Sequence, residues 1–200
     1  MEIKNKTVQT AENYYNPNTT DKQNELLWRV DKDDNEIGSV TRAECHNSQH
    51  PVWHRTTHAY LFDTDGNLML TRRSEKKDTA PGLWTVSAAG HVPYGQTYLQ
   101  TITREIEEEL GLQIEVEHLD TFPVDYGFEQ EVVGVFAGII EKRDITKNHE
   151  EVSEIRLVPL EQFSQDFQSG KAELSGGSRD SFAHLLETGT LKAYWQKHFG

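Results

Sequence analysis

Cysteine is almost absent from this sequence, in which Cys45 is the single cysteine among 200 residues. One cysteine excludes an internal disulfide framework. Long apolar runs are missing too, because the longest, Val132 to Ile140, is about half the length that a membrane-spanning helix needs. The N-terminal residues show no apolar core of the kind that a secretory signal requires. We therefore expect a reducing, cytoplasmic location.

Positive charge is scarce. The 20 Lys and Arg residues face 33 Asp and Glu residues, which gives a formal net charge of −13. Binding to nucleic acid or to an anionic membrane depends on clustered Lys and Arg, so neither partner is expected. A phosphate-bearing small molecule would also be repelled, unless a divalent cation bridged it to the protein. A homodimer is one option for the assembly.

The chain length and a hydrophobic content of 35% fit a single globular domain. Residues 1–24 are polar, lack any sustained period and are interpreted as a mobile or loosely docked tail. Residues 25–200 are predicted to form one domain, with a core at about 54–165 and C-terminal helices within 179–199.

The element order predicts an α+β fold. Two hairpins are expected first, at 25–42 and at 58–73, where Asp65-Gly66 is a strong turn signal. A short strand near 83–89 precedes a helix from Thr97 to Leu110, which Gly111 would end. Further strands, a helix start near 159–163 and two amphipathic helices follow. This order describes an α/β/α sandwich with a mixed sheet, preceded by an N-terminal hairpin and the polar tail.

The predicted central helix is rich in glutamate. Its helical phase puts Glu105, Glu108 and Glu109 on an arc of roughly 100°, while Glu107 lies on the opposite side. Such carboxylates repel one another, so something should compensate them. One interpretation is a solvated acidic face neutralised by Arg104 and water, and the other is a site for a hard cation. The apolar face beside Glu109 is predicted from Leu99, Ile102, Ile106 and Leu110.

The residues around these glutamates resemble the signature of the Nudix hydrolase superfamily. In that pattern a glycine is followed after five residues by a glutamate, and after seven more by Arg-Glu-aliphatic-x-Glu-Glu-x-Gly-aliphatic. Gln96 departs from it, standing where the pattern has glutamate. The positions that match in register are Gly90, Arg104, Glu105, Ile106, Glu108, Glu109, Gly111 and Leu112.

The resemblance implies a site for Mg²⁺ or Mn²⁺ and a small-molecule diphosphate substrate. By match, Glu105, Glu108 and Glu109 are metal ligands, and the carbonyl of Ala89 completes the metal shell. Glu105 would also orient or deprotonate the attacking water, while Arg104 holds the glutamates in position. Gln96 leaves one carboxylate near the metal missing.

Outside this motif, the chain is similar to the branch related to type I isopentenyl-diphosphate isomerase. The similarity runs from about residue 31 to 159 and includes "GSVTRAECH", "WHRTTHAYLF" and "SAAGH". In the isomerase, two early histidines, the histidine after the motif glycine and a Glu-x-Glu pair bind metal or lie at the catalytic centre. The matching residues here are His46, His54, His91, Glu129 and Glu131.

One departure argues against isomerase activity. The isomerase needs a catalytic cysteine immediately before the motif glycine, and this chain has Ala89 there. The isomerase also lacks the full hydrolase motif, which Glu105 and Glu108 restore in this chain. We therefore expect hydrolysis at phosphorus and not isomerisation at carbon.

Each additional residue keeps a structural alternative. His46 and His54 could be structural or surface residues, since imidazole suits softer metals better than Mg²⁺. Glu129 and Glu131 alternate along a strand and would share one face, either in solvent or at the metal.

A basic cluster between two predicted strands could grip a diphosphate or could simply be a solvated hairpin end. The expected substrate contacts are Arg72, Arg73, Lys77, Gly90, His91 and His54. Glu151 lies in a segment where Nudix enzymes often carry a further glutamate, acting as base or ligand.

The function expected from the sequence is a divalent-metal-dependent hydrolase that cleaves a diphosphate linkage in a nucleoside, sugar or prenyl diphosphate. Two alternatives stay open. One is a catalytically weak diphosphate-binding or sensor domain, which Gln96 favours. The other is an isopentenyl-diphosphate isomerase, which Ala89 disfavours.

Overall fold

A computed structural model describes residues 15–16, 18–19, 21–47, 49–125, 127–141 and 145–200. The strands in this part of the chain are β1 (Leu26–Val30), β2 (Glu36–Thr41), β3 (His54–Asp63), β4 (Asn67–Arg73), β5 (Trp84–Thr85), β6 (Ala88–His91), β7 (Val116–Asp125), β8 (Gln130–Ile140) and β9 (Val152–Pro159). The helices are α1 (Arg42–Cys45), α2 (Tyr98–Leu110), α3 (Leu160–Gln168), α4 (Gly176–Thr188) and α5 (Thr190–Phe199).

Strand β3 is the centre of a mixed nine-stranded sheet. It pairs in parallel with β8 over its whole length and antiparallel with β1, β4 and β6. Strand β7 continues the sheet beyond β8, and β9 extends it beyond β4. The first hairpin, β1 with β2, joins the same sheet through the pair Arg29 and His54.

Two apolar clusters cover the two faces of the sheet. Along β3, Tyr60 and Phe62 face the cluster that includes side chains of α3, α4 and α5. Ala59 and Leu61 face the opposite cluster, which contains the inner side of α2. Successive strand residues point to opposite faces, so one buried strand serves both layers. The predicted α+β sandwich with a mixed sheet is confirmed.

The predicted elements occur close to their expected positions, with three differences. Two short strands, β5 and β6, replace the single strand expected near 83–89. Leu99, which was predicted to lie on the apolar face of α2, is 51% exposed. Tyr98 takes its place and packs against the apolar cluster that contains Ala59 and Leu61. Helix α4 begins at Gly176, before the predicted boundary at 179, because glycines give no apolar period from which a helix could be predicted.

Residues 1–14, 17 and 20 of the predicted tail lie outside the described residues. The described part of that segment contacts the loop between β4 and β5. The Asn16 N–H donates to the Asp78 carbonyl at 2.6 Å, and Lys77 Nζ donates to Asp21 Oδ1 at 2.9 Å. The loop that contains the predicted basic cluster is therefore paired with an acidic residue of the upstream segment, Asp21.

The helices in the described part of the chain include none that is long and apolar enough to cross a membrane.

Candidate active site and metal centre

Helix α2 holds the glutamates in a fixed rotation about its axis. The Thr97 side chain accepts a hydrogen bond from the Gln100 N–H, and the Gln100 side chain accepts one from the Thr97 N–H. Gly111 ends the helix in the left-handed conformation, at φ 69°, which glycine adopts without strain. Because nearby residues define both ends of the helix, the direction in which each side chain points from the helix axis follows from its position in the sequence.

The four glutamates differ in exposure. Glu107 is exposed and accepts a hydrogen bond from Gln113 Nε2 at 2.6 Å. Glu109 is buried, and the Glu105 side chain is 15% exposed. The Glu108 side chain is 52% exposed and lies at the rim of the site.

Glu105 packs directly against the backbone of β6. Its carboxylate lies beside Gly90, where a side chain on the glycine would collide with it. Arg104 holds this glutamate from the other side, donating to Glu105 Oε1 at 2.7 Å and to Glu108 Oε2 at 2.6 Å. The arginine thus fixes the positions of two of the predicted ligands.

Burial makes the ionised glutamates costly. It raises the pKa of Glu105 to about 7, although the neighbouring Arg104 acts in the opposite direction. Burial, reinforced by Glu105, raises the pKa of Glu109 well above its usual range. Two adjacent carboxylates that are hard to ionise form a site that a divalent cation would stabilise.

Three histidines and a glutamate form a second cluster next to the glutamate helix. Each offers one ligand atom, and these atoms lie within 4.8 Å of one another. His46 Nε2 lies 3.0 Å from His91 Nε2 and 3.3 Å from Glu129 Oε1. His54 Nε2 lies 3.9 Å from the same oxygen of Glu129. His54 lies on β3 and His91 on β6, whereas His46 directly follows α1 and Glu129 directly precedes β8, so the sheet assembles them.

The imidazoles of this cluster are kept neutral. Burial lowers the pKa of His46 to about 3 and that of His54 to about 4, and it lowers the pKa of His91 well below its usual value. His54 Nδ1 lies 2.8 Å from the Val52 carbonyl, which makes Nδ1 the protonated nitrogen and leaves a lone pair on Nε2. That Nε2 atom is buried and has no hydrogen-bond partner among the described residues. A neutral imidazole with its second nitrogen held by a carbonyl is the usual arrangement of a metal ligand.

A buried ion pair supports the histidine cluster from outside. Arg42 donates to Asp78 Oδ2 at 2.8 Å, and His46 Nδ1 lies 3.4 Å from the same oxygen. Burial would raise the pKa of Asp78, but Arg42 and His46 hold it well below its usual range. Tyr15 stacks on the other side of His46, with the ring centroids 5.3 Å apart.

One cavity touches both clusters. It encloses about 610 Å³, including its open mouth. Glu105 of the glutamate helix and His91 of the histidine cluster both line it. Two cations also line it: Arg73, at the end of β4, and Lys77, in the loop that follows. The lining residues are Arg42, Thr56, His58, Arg73, Lys77, Thr79, Ala80, Thr85, Ala89, Gly90, His91, Glu105, Glu131, Ser175, Gly177 and Ser178.

The sequence model of the NUDIX domain family matches residues 52–175, which is more than half of the chain. The chain belongs to the Nudix family. The predictions of a Nudix family member and of a Nudix-type enzyme are thereby confirmed, whereas the substrate and the metal ion stay predictions.

Several curated relatives of this Nudix chain carry the name isopentenyl-diphosphate Delta-isomerase. The one from Serratia proteamaculans is 33% identical over 123 residues, covering 57% of this chain and 68% of its own length. The one from Saccharopolyspora erythraea is 31% identical over 166 residues, covering 80% and 84%. The similarity to this branch, expected from the histidines, is therefore confirmed.

Solved structures show the same fold. DR0079 from Deinococcus radiodurans superposes with a TM-score of 0.63 at 23% identity, covering 76% of this chain and 93% of its own. The MutT protein from Methanosarcina mazei gives a TM-score of 0.56 at 21% identity, covering 68% and 95%.

The Nudix fold brings most of the predicted residues to one place. Arg73, Lys77, Ala89 and Gly90 line the cavity together with Glu105, His91 and Glu131. Glu109, Glu108 and Arg104 adjoin Glu105 on the helix, and His54 and Glu129 adjoin His91.

Arg72 and Gln96 are placed differently. Arg72 does not line the cavity; it is exposed, and its Nε donates to the Gly82 carbonyl at 2.7 Å. The Gln96 side chain accepts a hydrogen bond from Thr101 at 3.4 Å, inside the first turn of α2.

Glu151 reaches the basic loop. Its Oε2 lies 2.7 Å from Lys77 Nζ, so the lysine bridges the predicted base to Asp21 of the upstream segment. The neighbouring Glu150 pairs instead with the exposed Lys76.

Several residues of the site were not predicted from the sequence. Arg42, Thr56 and His58 lie within the stretches "GSVTRAECH" and "WHRTTHAYLF", whose similarity to the isomerase branch was a signal that could have been used. Asp78 was hidden within the basic cluster, and nothing local marked the start of α4. These residues reach the cavity through strand alternation and long-range packing.

Proposed function

We propose that this Nudix chain hydrolyses a diphosphate linkage in a nucleoside, sugar or prenyl diphosphate with the help of Mg²⁺ or Mn²⁺. The observation that carries the proposal is the Glu105 carboxylate, packed on Gly90 at the wall of the cavity that also contains Arg73 and Lys77. Carboxylates on one wall and cations on another suit a metal-bound diphosphate.

The chain offers two sets of metal ligands. Glu105, Glu108 and Glu109, with the Ala89 carbonyl, offer the oxygen atoms that Mg²⁺ and Mn²⁺ prefer. The histidine cluster with Glu129, and with Glu131 nearby, suits a softer ion such as Mn²⁺ better than Mg²⁺. When bound, the ion supplies charge neutralisation for the diphosphate and lowers the pKa of a coordinated water.

The protein side chains have separate tasks in this reaction. Arg73 and Lys77 bind the diphosphate oxygens, with Arg73 oriented by its bonds to Thr79 at 2.7 and 3.0 Å. Glu105, which lines the cavity, accepts the proton of the attacking water. Arg104 keeps Glu105 in position.

The test is phosphate or monophosphate release from a panel of nucleoside, sugar and prenyl diphosphates, with Mg²⁺ and with Mn²⁺. Glu108→Gln removes a ligand at the exposed rim, where loss of the fold is not expected. Its turnover should fall at least about tenfold. Glu107→Gln is the matched control on the outer side of the same helix and should retain full turnover. Full turnover of Glu108→Gln would overturn the assignment.

A binding or sensor domain is the second candidate, because Gln96 replaces a carboxylate near the expected metal. Tight, metal-dependent binding of a panel member without any turnover would support it. Isomerase activity is suggested by the names of the relatives, but it is opposed by Ala89 and by the position of Cys45. This cysteine is fully buried with Leu27 and Val40 and does not line the cavity. Conversion of isopentenyl to dimethylallyl diphosphate without phosphate release would revive the isomerase.

A further inference from the structure

The start of helix α4 forms part of the cavity wall, and we call this part the inner end. Ser175, Gly177 and Ser178 line it, together with Thr85 of β5. The first N–H groups of any helix lack partners within that helix, and the Ser175 side chain makes no capping hydrogen bond to them. A 13-residue helix therefore presents its positive end to the cavity.

Two buried side-chain hydrogen bonds fix this helix end. Ser178 Oγ and Thr85 Oγ1 lie 2.5 Å apart, and Ser181 Oγ lies 2.5 Å from the Tyr60 hydroxyl one turn further along. All four residues are buried. The start of α4 is therefore held against the sheet and cannot turn away from the cavity without breaking these contacts.

An independent observation concerns strand β3, which also lines the cavity. Thr56 and His58 precede Tyr60 on the same face of β3, and both line the cavity. They are only 3% and 5% exposed, and neither Thr56 Oγ1 nor His58 Nδ1 has a hydrogen-bond partner among the described residues. Native proteins rarely leave buried polar atoms unpaired, so two at one cavity point to a missing ligand.

The lining excludes an apolar occupant. Among the described residues that line the cavity, the only aliphatic side chains are those of Ala80 and Ala89. A prenyl chain placed here would leave the Thr56 hydroxyl and the His58 imidazole without partners, which is unfavourable. An oxygen-rich group would instead accept hydrogen bonds from both of them.

We propose that the inner end of the cavity is a subsite for a second oxyanion, a phosphate or carboxylate carried by the organic part of the diphosphate substrate. This inference rests on the proposed hydrolase function and narrows its substrate class. The N-terminus of α4, Thr56 and His58 would donate to the anion. Arg73 also lines the cavity, as do Glu105 and Glu131, which are assigned to the metal. An unsubstituted prenyl diphosphate is then a poor substrate.

The subsite is tested first without metal, so that hydrolysis plays no part. Inorganic phosphate is titrated into the full-length, chelator-treated protein, and backbone amide resonances are followed by NMR. The Gly177 and Ser178 amides should shift in a saturable manner. The absence of any shift at these two amides would overturn the proposal.

Two threonine variants separate binding from a structural role. Thr56→Val removes a hydroxyl that has no partner, so its melting temperature should stay the same or rise, while phosphate binding weakens about three- to tenfold. Thr57→Val is the matched control: this buried neighbour points to the other face of β3 and donates to the Gly134 carbonyl at 3.2 Å. It should melt at a lower temperature and bind phosphate as the wild type does. A lower melting temperature of Thr56→Val with unchanged phosphate affinity would assign Thr56 a structural role only.

Turnover then connects the subsite to the reaction. Of two sugar diphosphates that differ by one phosphate on the sugar, the phosphorylated one should have the higher kcat/KM, and Thr56→Val should remove that preference. Equal kcat/KM values in the wild type would overturn the proposal while leaving the hydrolase intact. Metal-free phosphate binding at Gly177 without hydrolysis of any diphosphate would support the subsite and overturn the hydrolase.

Discussion

A Cβ atom at Gly90 would lie 2.5 Å from the carboxyl carbon of Glu105 and 2.5 Å from its Oε1. The Glu105 carboxylate therefore packs directly against the backbone of Gly90, in the space that a side chain would occupy. Its backbone is in the strand β6 and is not in the left-handed region, so what the position requires is space and not conformational freedom. The pairing of this strand glycine with the helix glutamate has a direct steric basis.

Gly90→Ala should displace the Glu105 carboxylate while the fold persists, because the colliding atoms belong to a flexible side chain. We expect kcat to fall by about 100-fold, the effect of a misplacement of about 1 Å at a catalytic group. Steady-state kinetics and thermal melting measured on the same sample check this. A variant that unfolds, or one that retains wild-type kcat, would contradict the steric explanation.

Lys77→Met should loosen the upstream segment from the site. Lys77 is a mostly buried cation that pairs with Asp21 and Glu151, and we expect its loss to cost about 1–3 kcal/mol of unfolding free energy. Cleavage by proteases before residue 25 should become faster. Lys76→Met is the control, because its pair with Glu150 is exposed and contributes at most about 1 kcal/mol. Equal effects of the two substitutions in urea unfolding would show that burial of the Lys77 pairs is unimportant.

Glu129→Gln should weaken Mn²⁺ binding at the histidine cluster at least about tenfold, because the amide removes the only carboxylate of that group. Glu109→Gln should instead weaken Mg²⁺ binding, and Glu107→Gln should change neither. Calorimetric titration of chelator-treated protein with each ion checks the prediction. If Glu129→Gln bound Mn²⁺ as tightly as the wild type, the histidine cluster would not be a metal site.

His58 should make the metal-free protein less stable in acid. Burial, assisted by the charge of Arg73, lowers the pKa of His58 from its ordinary value of 6.5 to about 3. Between these values the unfolded chain binds more protons, so the free energy of unfolding falls as the pH is lowered below about 6.5. One such group contributes at most about 1.4 kcal/mol per pH unit.

His58→Gln should therefore reduce the dependence of the unfolding free energy on pH between pH 4 and 7. Urea unfolding checks this in a buffer without phosphate, because phosphate is the proposed ligand of the nearby subsite. His50→Gln, at an exposed loop position, is the control and should follow the wild type. Parallel curves for the wild type and His58→Gln would contradict the assignment.

Local signals in the sequence were sufficient for much of the fold. Thr97 and Gly111 define the ends of α2, so the inward placement of Glu105 and Glu109 follows from helical phase alone. The turn at Asp65-Gly66 is equally local, with the Gly66 N–H donating to the Asp63 carbonyl. Such elements need no knowledge of distant parts of the chain.

The inner half of the site could not be predicted in this way. Arg72 and Arg73 are neighbours on β4, yet only Arg73 lines the cavity, and the basic sequence does not say which of the two does. Thr85 and Ser178 meet across 93 positions. His58 lies in a strand that is buried on both faces, where no polar alternation indicates the side with the cavity.

The cavity has two ends that come from different parts of the chain. The residues assigned to metal and water lie between His46 and Glu131, whereas the start of α4 at 175–178 lies beyond the last strand. Substitutions at the start of α4 can therefore change which organic group is accepted without altering any residue that handles the diphosphate. The residues that handle the diphosphate and the start of α4 lie in separate segments of the chain. Chains with the same glutamate helix can therefore diverge in substrate through changes at the start of α4.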